Sequence, residues 1–359
     1  LGEALIGRPK PSVSEQAAAA RLAAMDVVEV KQLGDEQFAL AHQLVVRCES
    51  VLDPVTPPMT AAEFRRFADD DRMEANHHER HAVVDGDAVR AVAHLEFELD
   101  EENAHFAAVE VFGAADDPEA GRIVLGAMCD IATADGRTTM LGWGPDTATE
   151  TAFWHGAGAT RAYTERVSAL DVTAVDASLM ATWIERRDER AADLVLHRWT
   201  STCPDDLVDT FAASRTLMNG APMEQIDIND GVVDADDIRE DEDALRSLGI
   251  RPMTVMAIAP DGRPAGHTQV HVNPIRPAAS YQWDTAVDPA FRERGIGRWL
   301  KAEMWRWLRD SEPEVTRLTT GNAEVNDAML SINVAMGFAE AYTYGAWQAK
   351  IDQMIAAIS

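Results

Sequence analysis

The chain has 359 residues, with 61 acidic and 32 basic side chains and a net charge of −29. Its hydrophobic content of 46% is that of a folded globular protein, and no apolar run approaches the ~20 residues that cross a bilayer. The length favours two domains, and the acidic surface argues against binding to nucleic acid or anionic membranes.

The first half of the chain begins with a strand-like run at 27–30, and we interpret residues 1–24 as an extension outside the fold. A hairpin is predicted over 81–96, with its turn at Asp85-Gly86-Asp87. In chain order, the further predicted elements are a strand at 105–111, a helix at 119–134, a strand at 138–143, a helix at 149–157 and a strand at 162–170. The charged stretch 182–206 is predicted to be a connector.

The second half repeats this order of elements. A hairpin at 255–272 turns at Asp261-Gly262, and the hydrophobic spacing of 296–309 is that of a helix with one buried face. The remaining predicted elements are strands at 281–287, 314–319 and 338–348 and a helix at 325–336. The sequence therefore predicts an α/β fold of the α+β type with two related domains, at 25–195 and 205–359.

One glycine-rich segment differs in character from the rest of this acidic chain. Gly295 and Gly297 lie where a strand gives way to a helix, so that backbone N–H groups and the positive end of the helix can approach an anion closely. Four basic side chains share the segment: Arg292, Arg294, Arg298 and Lys301. The spacing fits neither a P-loop nor a dinucleotide fold. A phosphate cradle is predicted, and the alternative is a helix cap with a solvated basic face.

Two motifs resemble those of the GNAT superfamily of N-acyltransferases. Arg292, Gly295 and Gly297 match the family's acyl-CoA-binding core, Arg/Gln-x-x-Gly-x-Gly/Ala, and residues 319–338 are similar to its second signature. The resemblance covers residues 205–350 closely and the first half weakly, because the loop at 113–122 lacks the glycine core and contains Asp116 and Asp117. It implies two tandem GNAT-like domains, each a mixed, mostly antiparallel sheet flanked by helices, with the first copy degenerate.

The resemblance also implies how acetyl-CoA would bind as co-substrate, without a metal. The pyrophosphate would lie on Arg292 and on the backbone amides of residues 294–298, namely Arg294, Gly295, Ile296, Gly297 and Arg298. The pantetheine arm would pair with the strand edge at Ala286 and Val287, and the Val287 N–H would polarise the thioester carbonyl. Asn326 would contact the same arm, and its alternative role is to cap the following helix.

Candidate catalytic groups follow from the same resemblance. Asp284 is the first candidate for the base, and the alternative is a solvated or cross-strand-paired carboxylate. Asn333 stands where the family usually has its acidic tyrosine. Tyr342 and Tyr344 are therefore candidate acids, with Tyr281 as a third, although tyrosines often serve packing alone and solvent can also protonate a thiolate.

Two other groups of residues could suggest different chemistry. His77 and His81 have a metal-ligand spacing, but no further ligand is near in sequence, and a solvated loop is the favoured interpretation. Cys48, Cys129 and Cys203 are widely spaced and indicate inert thiols in a reducing, cytoplasmic compartment.

The sequence therefore predicts an N-acetyltransferase that acts on a primary amine of a small molecule or peptide, one that can be cationic. We expect the protein to bind neither nucleic acid nor a membrane, and a homodimer is compatible with the sequence. Two alternatives remain open. One is a non-catalytic CoA-sensing or partner-binding module, and the other is an aminoacyl-tRNA-dependent relative, which the charge of −29 disfavours.

Overall fold

The computed structural model describes residues 25–69, 72–73, 76–97 and 102–359, and the predicted extension at 1–24 lies outside them. Within the described residues, thirteen strands form one mixed sheet. The strands are β1 (Met25–Glu29), β2 (Arg72–Met73), β3 (Asn76–Asp85), β4 (Ala88–Phe97), β5 (Phe106–Phe112), β6 (Thr139–Pro145), β7 (Thr160–Asp171), β8 (Val195–Thr200), β9 (Arg251–Ile258), β10 (Pro264–Val272), β11 (Ser280–Val287), β12 (Arg317–Ala323) and β13 (Ala339–Lys350).

Helices cover the sheet. They are α1 (Asp35–Leu52), α2 (Ala61–Asp69), α3 (Pro118–Ala134), α4 (Ala148–Gly156), α5 (Ala177–Glu185), α6 (Arg187–Arg190), α7 (Val208–Thr216), α8 (Ala235–Ser247), α9 (Ile296–Ser311), α10 (Asp327–Met336) and α11 (Ile351–Ile358). Among the described residues, no helix has both the length and the apolar character needed to cross a membrane.

The strands follow the order β1-β3-β4-β5-β6-β13-β7-β12-β11-β10-β9-β8, with β2 beside β3. The neighbours β5 and β6 are parallel, as are β11 and β12. The other paired strands that the structure describes are antiparallel. The predicted mixed, mostly antiparallel architecture is confirmed, with one parallel pair in each half of the chain.

The two halves exchange their last strands. Strand β7, the last long strand of the first half, pairs with β12 from Arg317↔Asp171 to Ala323↔Glu165. Strand β13, the last strand of the second half, pairs with β6 from Tyr344↔Pro145 to Lys350↔Thr139 and also with β7. Each half therefore completes its sheet with backbone hydrogen bonds from the other half.

The hydrophobic cores are exchanged in the same way. Met180 and Trp183 of α5, from the first half, are buried with Trp305 of α9, and the Trp305 indole N–H donates to the Val172 carbonyl at 3.1 Å. Trp347, at the end of the second half, is buried in the core of the first half. The contacts between the halves are thus core packing as well as sheet pairing.

Two local expectations are wrong. The stretch predicted as a connector, 182–206, contains the end of α5, helix α6 and strand β8, which pairs with β9 at the edge of the sheet. The histidines expected in a solvated loop lie on strand β3, where His77 is 3.3 Å from Glu79 and His81 pairs with Ala93 of β4. In the described residues, no group of three or more His, Cys, Asp or Glu side chains is placed to hold a metal ion.

The strand exchange predicts that residues 205–359 do not fold alone. Without the first half, β12 loses β7, and β13 loses both of its neighbours, which leaves long unpaired edges. We expect the isolated segment to be aggregated or unfolded by size-exclusion chromatography and circular dichroism, and to become soluble on co-expression with residues 25–204. A monomeric, cooperatively melting 205–359 fragment would show that the exchanged strands are dispensable.

Candidate functional site

The parallel strands β11 and β12 separate after a short stretch of pairing. Their ladder ends where Tyr281 lies opposite Thr319. Beyond that point side chains replace the ladder, because the Tyr281 hydroxyl accepts the Gly321 N–H at 2.6 Å and the Thr320 hydroxyl donates to the Gln282 carbonyl at 3.0 Å. These bonds satisfy backbone groups that the separation would otherwise leave unpaired.

A cavity of about 830 Å³ opens where the two strands diverge, and we call it the split cavity. Its walls come from β7, β11, β12, the segment 217–223 and the first turns of α9 and α10. Most of the residues predicted from the sequence line it: Asp284, Ala286, Val287, Arg292, Gly295, Ile296, Gly297, Arg298 and Asn326. The structure therefore brings together, in one elongated cleft, residues that the motifs placed tens of positions apart.

The N-terminus of α9 faces the split cavity without a side-chain cap. Gly295 is the N-cap residue, with φ of 80° in the left-handed region that favours glycine. Two residues further on, a Cβ atom at Gly297 would lie 3.4 Å from the Ile332 side chain and 3.7 Å from that of Val287, so a longer side chain there would occupy the cleft. The exposed N–H groups and about half a positive charge make this end of α9 suited to an anion.

The basic side chains of this segment do not share one role. Arg292 and Arg298 line the split cavity. Arg294 does not, because its guanidinium donates to the Arg190 carbonyl at 2.8 Å and pairs with Asp193. A coenzyme contact by Arg294 can therefore come only from its backbone, and that remains a prediction.

The matching region of the first half is closed. Strands β5 and β6 stay paired over five positions, and Trp154 packs against Gly142, where a Cβ atom would come within 2.3 Å of the indole ring. The N-terminus of α3 is capped by its own Asp117, whose carboxylate accepts the Ala120 N–H at 3.2 Å. A carboxylate already lies where an anionic ligand would have to bind.

Asp284 lines the split cavity but is ion-paired. Its carboxylate lies 2.8 Å from the Arg215 Nε atom, and the same guanidinium is 3.3 Å from Asp241. Burial raises the pKa of Asp284, and Arg215 opposes that rise. This pairing differs from the alternative of a solvated or cross-strand-paired carboxylate, because Arg215 lies on helix α7. The role of Asp284 as base remains a prediction.

The two candidate tyrosines lie elsewhere. Tyr342 and Tyr344 line a smaller cavity of about 300 Å³, which we call the side cavity, together with Glu49, Asp53 and other residues. Burial raises the pKa of Tyr342 to about 12 and that of Tyr344 well above its usual value, which makes both weak acids. The structure does not bring either tyrosine to the wall of the split cavity.

Asn326 caps a helix at the wall of the split cavity. Its side-chain oxygen accepts the Met329 N–H at 3.2 Å, which makes it the N-cap of α10. It also lines the split cavity. The capping role is confirmed, and a contact with a pantetheine arm stays a prediction.

Two ionisable residues at the split cavity have surroundings that the sequence analysis did not predict. Lys301 is almost fully buried on α9, lines the split cavity and has a pKa that burial lowers to about 7. Glu165 of β7 lines both cavities, and burial raises its pKa to about 7. Lys301 was visible as part of the basic segment, whereas Glu165 had no local signal, because its surroundings are created by the strand exchange.

Comparisons with known proteins agree with this geometry. Residues 224–338 match the family model described as "Acetyltransferase (GNAT) family". The fold is similar to a tandem GNAT protein from the clavulanic acid biosynthesis pathway, with a TM-score of 0.72, 20% identity and coverage of 91% of this chain and 98% of that one. It is also similar to a GCN5-related N-acetyltransferase from Sphaerobacter thermophilus, with a TM-score of 0.63, 14% identity and coverage of 91% and 96%. A search of curated proteins found no significant match.

The open helix end predicts a selective effect of Gly295→Asp. The new carboxylate would face a bound pyrophosphate, and we expect acetyl-CoA affinity to fall by about 3 kcal/mol, roughly 100-fold in Kd. Gly262→Asp is the matched control, since Gly262 also has positive φ, of 87°, with open space around it, but lies outside the split cavity. Both variants should lose at most about 1–2 kcal/mol of stability from backbone strain. Equal calorimetric affinities for the two variants would contradict the phosphate site.

Proposed function

We propose that this chain, whose residues 224–338 match the acetyltransferase (GNAT) family model and whose fold is similar to that of a tandem GNAT protein over 91% of the chain, is an acyl-CoA-dependent N-acyltransferase. Acetyl-CoA is the proposed donor and a primary amine the proposed acceptor. The reaction proceeds by direct attack of the amine on the thioester in a ternary complex, without a covalent enzyme intermediate.

The observation that carries this proposal is the alignment of the uncapped α9 N-terminus with the split between β11 and β12. The helix end supplies N–H donors and positive potential for a pyrophosphate. The split leaves the β11 edge from Trp283 to Val287 without a partner on the β12 side, so that a pantetheine arm can lie along it. The closed β5–β6 pair and the Asp117 cap predict that the first half binds no coenzyme.

The side cavity supports a cationic acceptor. It shares two lining residues, Glu165 and Tyr281, with the split cavity. Glu49 also lines it, and burial raises the pKa of that carboxyl to about 7. A cationic amine would be attracted by such carboxylates and would restore their ionised form. The proposed acceptor is therefore a small amine, or a peptide amine, that reaches the thioester from this side.

A non-catalytic coenzyme-binding module is the second candidate, and Asn333 favours it. This residue occupies the place of the family's usual acid, and its side-chain nitrogen donates to Asn322 at 2.8 Å. An amide pair of this kind cannot act as a proton donor at neutral pH. Binding without turnover would therefore be its signature.

Calorimetry and an amine screen separate the two candidates. We expect acetyl-CoA to bind with a stoichiometry near one per chain, and a thiol reagent to detect CoA release that depends on an added amine. Gly297→Glu should abolish both signals, because its side chain would fill the cleft. A stoichiometry of two would contradict the closed first half. Binding with no release for any amine would favour the non-catalytic module.

The role of Asp284 can be tested against a neighbour that shares its ion pair. Asp284→Asn and Asp241→Asn each remove one carboxylate from Arg215, and each should cost less than the roughly 3–5 kcal/mol of fully breaking a buried pair. If Asp284 takes part in proton transfer, only Asp284→Asn lowers the rate, by about 10²–10⁴-fold, at similar melting temperatures. Parallel losses of rate and stability in the two variants would identify Asp284 as structural.

A further inference from the structure

Glu165 lies at the meeting point of the two halves. It is on β7, in register with Ala323 of β12 on one side and Tyr344 of β13 on the other. Its carboxylate occupies the space over Gly321, where a Cβ atom would come within 2.3 Å of Oε1. The absence of a side chain at Gly321 thus makes room for a carboxylate that comes from the other half of the chain.

The same carboxylate lies between the two cavities. Glu165 and Tyr281 line both the split cavity and the side cavity, so the Glu165 side chain is adjacent to both. In the part of the chain that the structure describes, we find neither an ion pair nor a hydrogen bond to this carboxylate. Asp284, in contrast, is held by Arg215 at 2.8 Å.

We propose that Glu165 is the base that accepts the proton of the incoming amine, so that the first half of the chain supplies a catalytic residue to the coenzyme site of the second. The inference rests on the proposed acyl transfer. An amine in the side cavity attacks the thioester carbonyl, the C–N bond forms and the C–S bond breaks. The amine proton passes to the Glu165 carboxylate, and the CoA thiolate leaves and takes a proton from solvent.

The electrostatic surroundings suit this role. Burial raises the pKa of Glu165 to about 7, which leaves a substantial fraction ionised at neutral pH while strengthening the base. Titratable groups around it are Tyr163 on β7, Tyr281 on β11, Tyr342 and Tyr344 on β13, Glu49 and Asp53 from α1 and the segment after it, and Glu224 in the loop beside Thr164. On the side-cavity face, Arg276 is paired with Glu63 and Arg317 with Asp53. The wall of the split cavity also contains Asp284, which is paired with Arg215, and four basic residues: Arg190, Arg292, Arg298 and Lys301.

Glu165→Gln tests the proposal, because it keeps the size of the side chain and removes the proton acceptor. The assay measures CoA release from acetyl-CoA, with an amine that the wild type acylates and with water alone as acceptor. We expect the rate to fall by about 10²–10⁴-fold while acetyl-CoA affinity is unchanged. In the wild type the carboxyl is protonated below its pKa, so kcat/KM should fall as the pH drops below about 7. In Glu165→Gln this acidic limb of the pH profile, the fall of kcat/KM below about pH 7, should be absent.

Glu150→Gln is the matched control. Glu150 is also buried and its pKa is also raised to about 7, but it hydrogen-bonds Trp154 in the closed first half and lines neither cavity. The control should retain the wild-type rate and the limb near pH 7. If Glu165→Gln does not fold, Glu165→Asp replaces it, and we expect a lower rate with the limb retained.

The outcomes separate this inference from the function on which it rests. An active wild type together with a Glu165→Gln variant of equal rate and unchanged pH profile would overturn the role of Glu165 and leave acyl transfer intact. If Glu150→Gln also loses the fall of kcat/KM below pH 7, the role of Glu165 is overturned too, because that pH dependence would then not be specific to Glu165. If the wild type binds acetyl-CoA but releases no CoA to any amine or to water, the proposed function and the base both fail.

Discussion

The backbone hydrogen bonds of β7 and β13 are the constraint on which the rest of the structure depends. Each strand has two neighbours, and both of them come from the other half of the chain. A strand in the middle of a sheet cannot be withdrawn without leaving rows of unpaired polar groups. The relative position of the halves is therefore determined by sheet register, and the cores of both halves are completed by side chains from the other.

The contrast between the two parallel pairs explains why similar halves differ in chemistry. Separating β11 from β12 leaves backbone groups to satisfy, and Tyr281 and Thr320 do so from the bottom of the split. In the first half, β5 and β6 remain paired and an indole fills the space above Gly142. The helices after the two parallel pairs differ in the same way. Gly295 leaves the N-terminus of α9 without a side-chain cap, whereas Asp117 caps the N-terminus of α3. One architecture thus gives an open cleft in one copy and a packed core in the other.

Local patterns in the sequence predicted most of the elements and most of the residues that line the split cavity. The hairpins, the helix after Gly295 and the second signature depend on neighbouring residues, so their signals are contained in short windows. The strand exchange does not have such a signal, because the sequence of β7 predicts a strand but does not specify which strands it pairs with. The pairing of Asp284 with Arg215 and the placement of Glu165 over Gly321 follow from that exchange and from α7, and neither could be read from spacing along the chain. Strand β8 was missed because its charged flanks resemble a linker.

The position of β13 in the chain also affects how the protein is synthesised. The sheet has a gap between β6 and β7 until residues 339–350 arrive, and among the described strands these are the last to leave the ribosome. Strand β7 likewise waits for β12, which is separated from it by well over a hundred residues. The first half therefore emerges with three strand edges that have no partner yet, one on β6 and two on β7. Such a state is prone to association with other nascent chains. Contacts of such large sequence separation also form slowly, so the final closure of the sheet is expected to follow translation rather than accompany it.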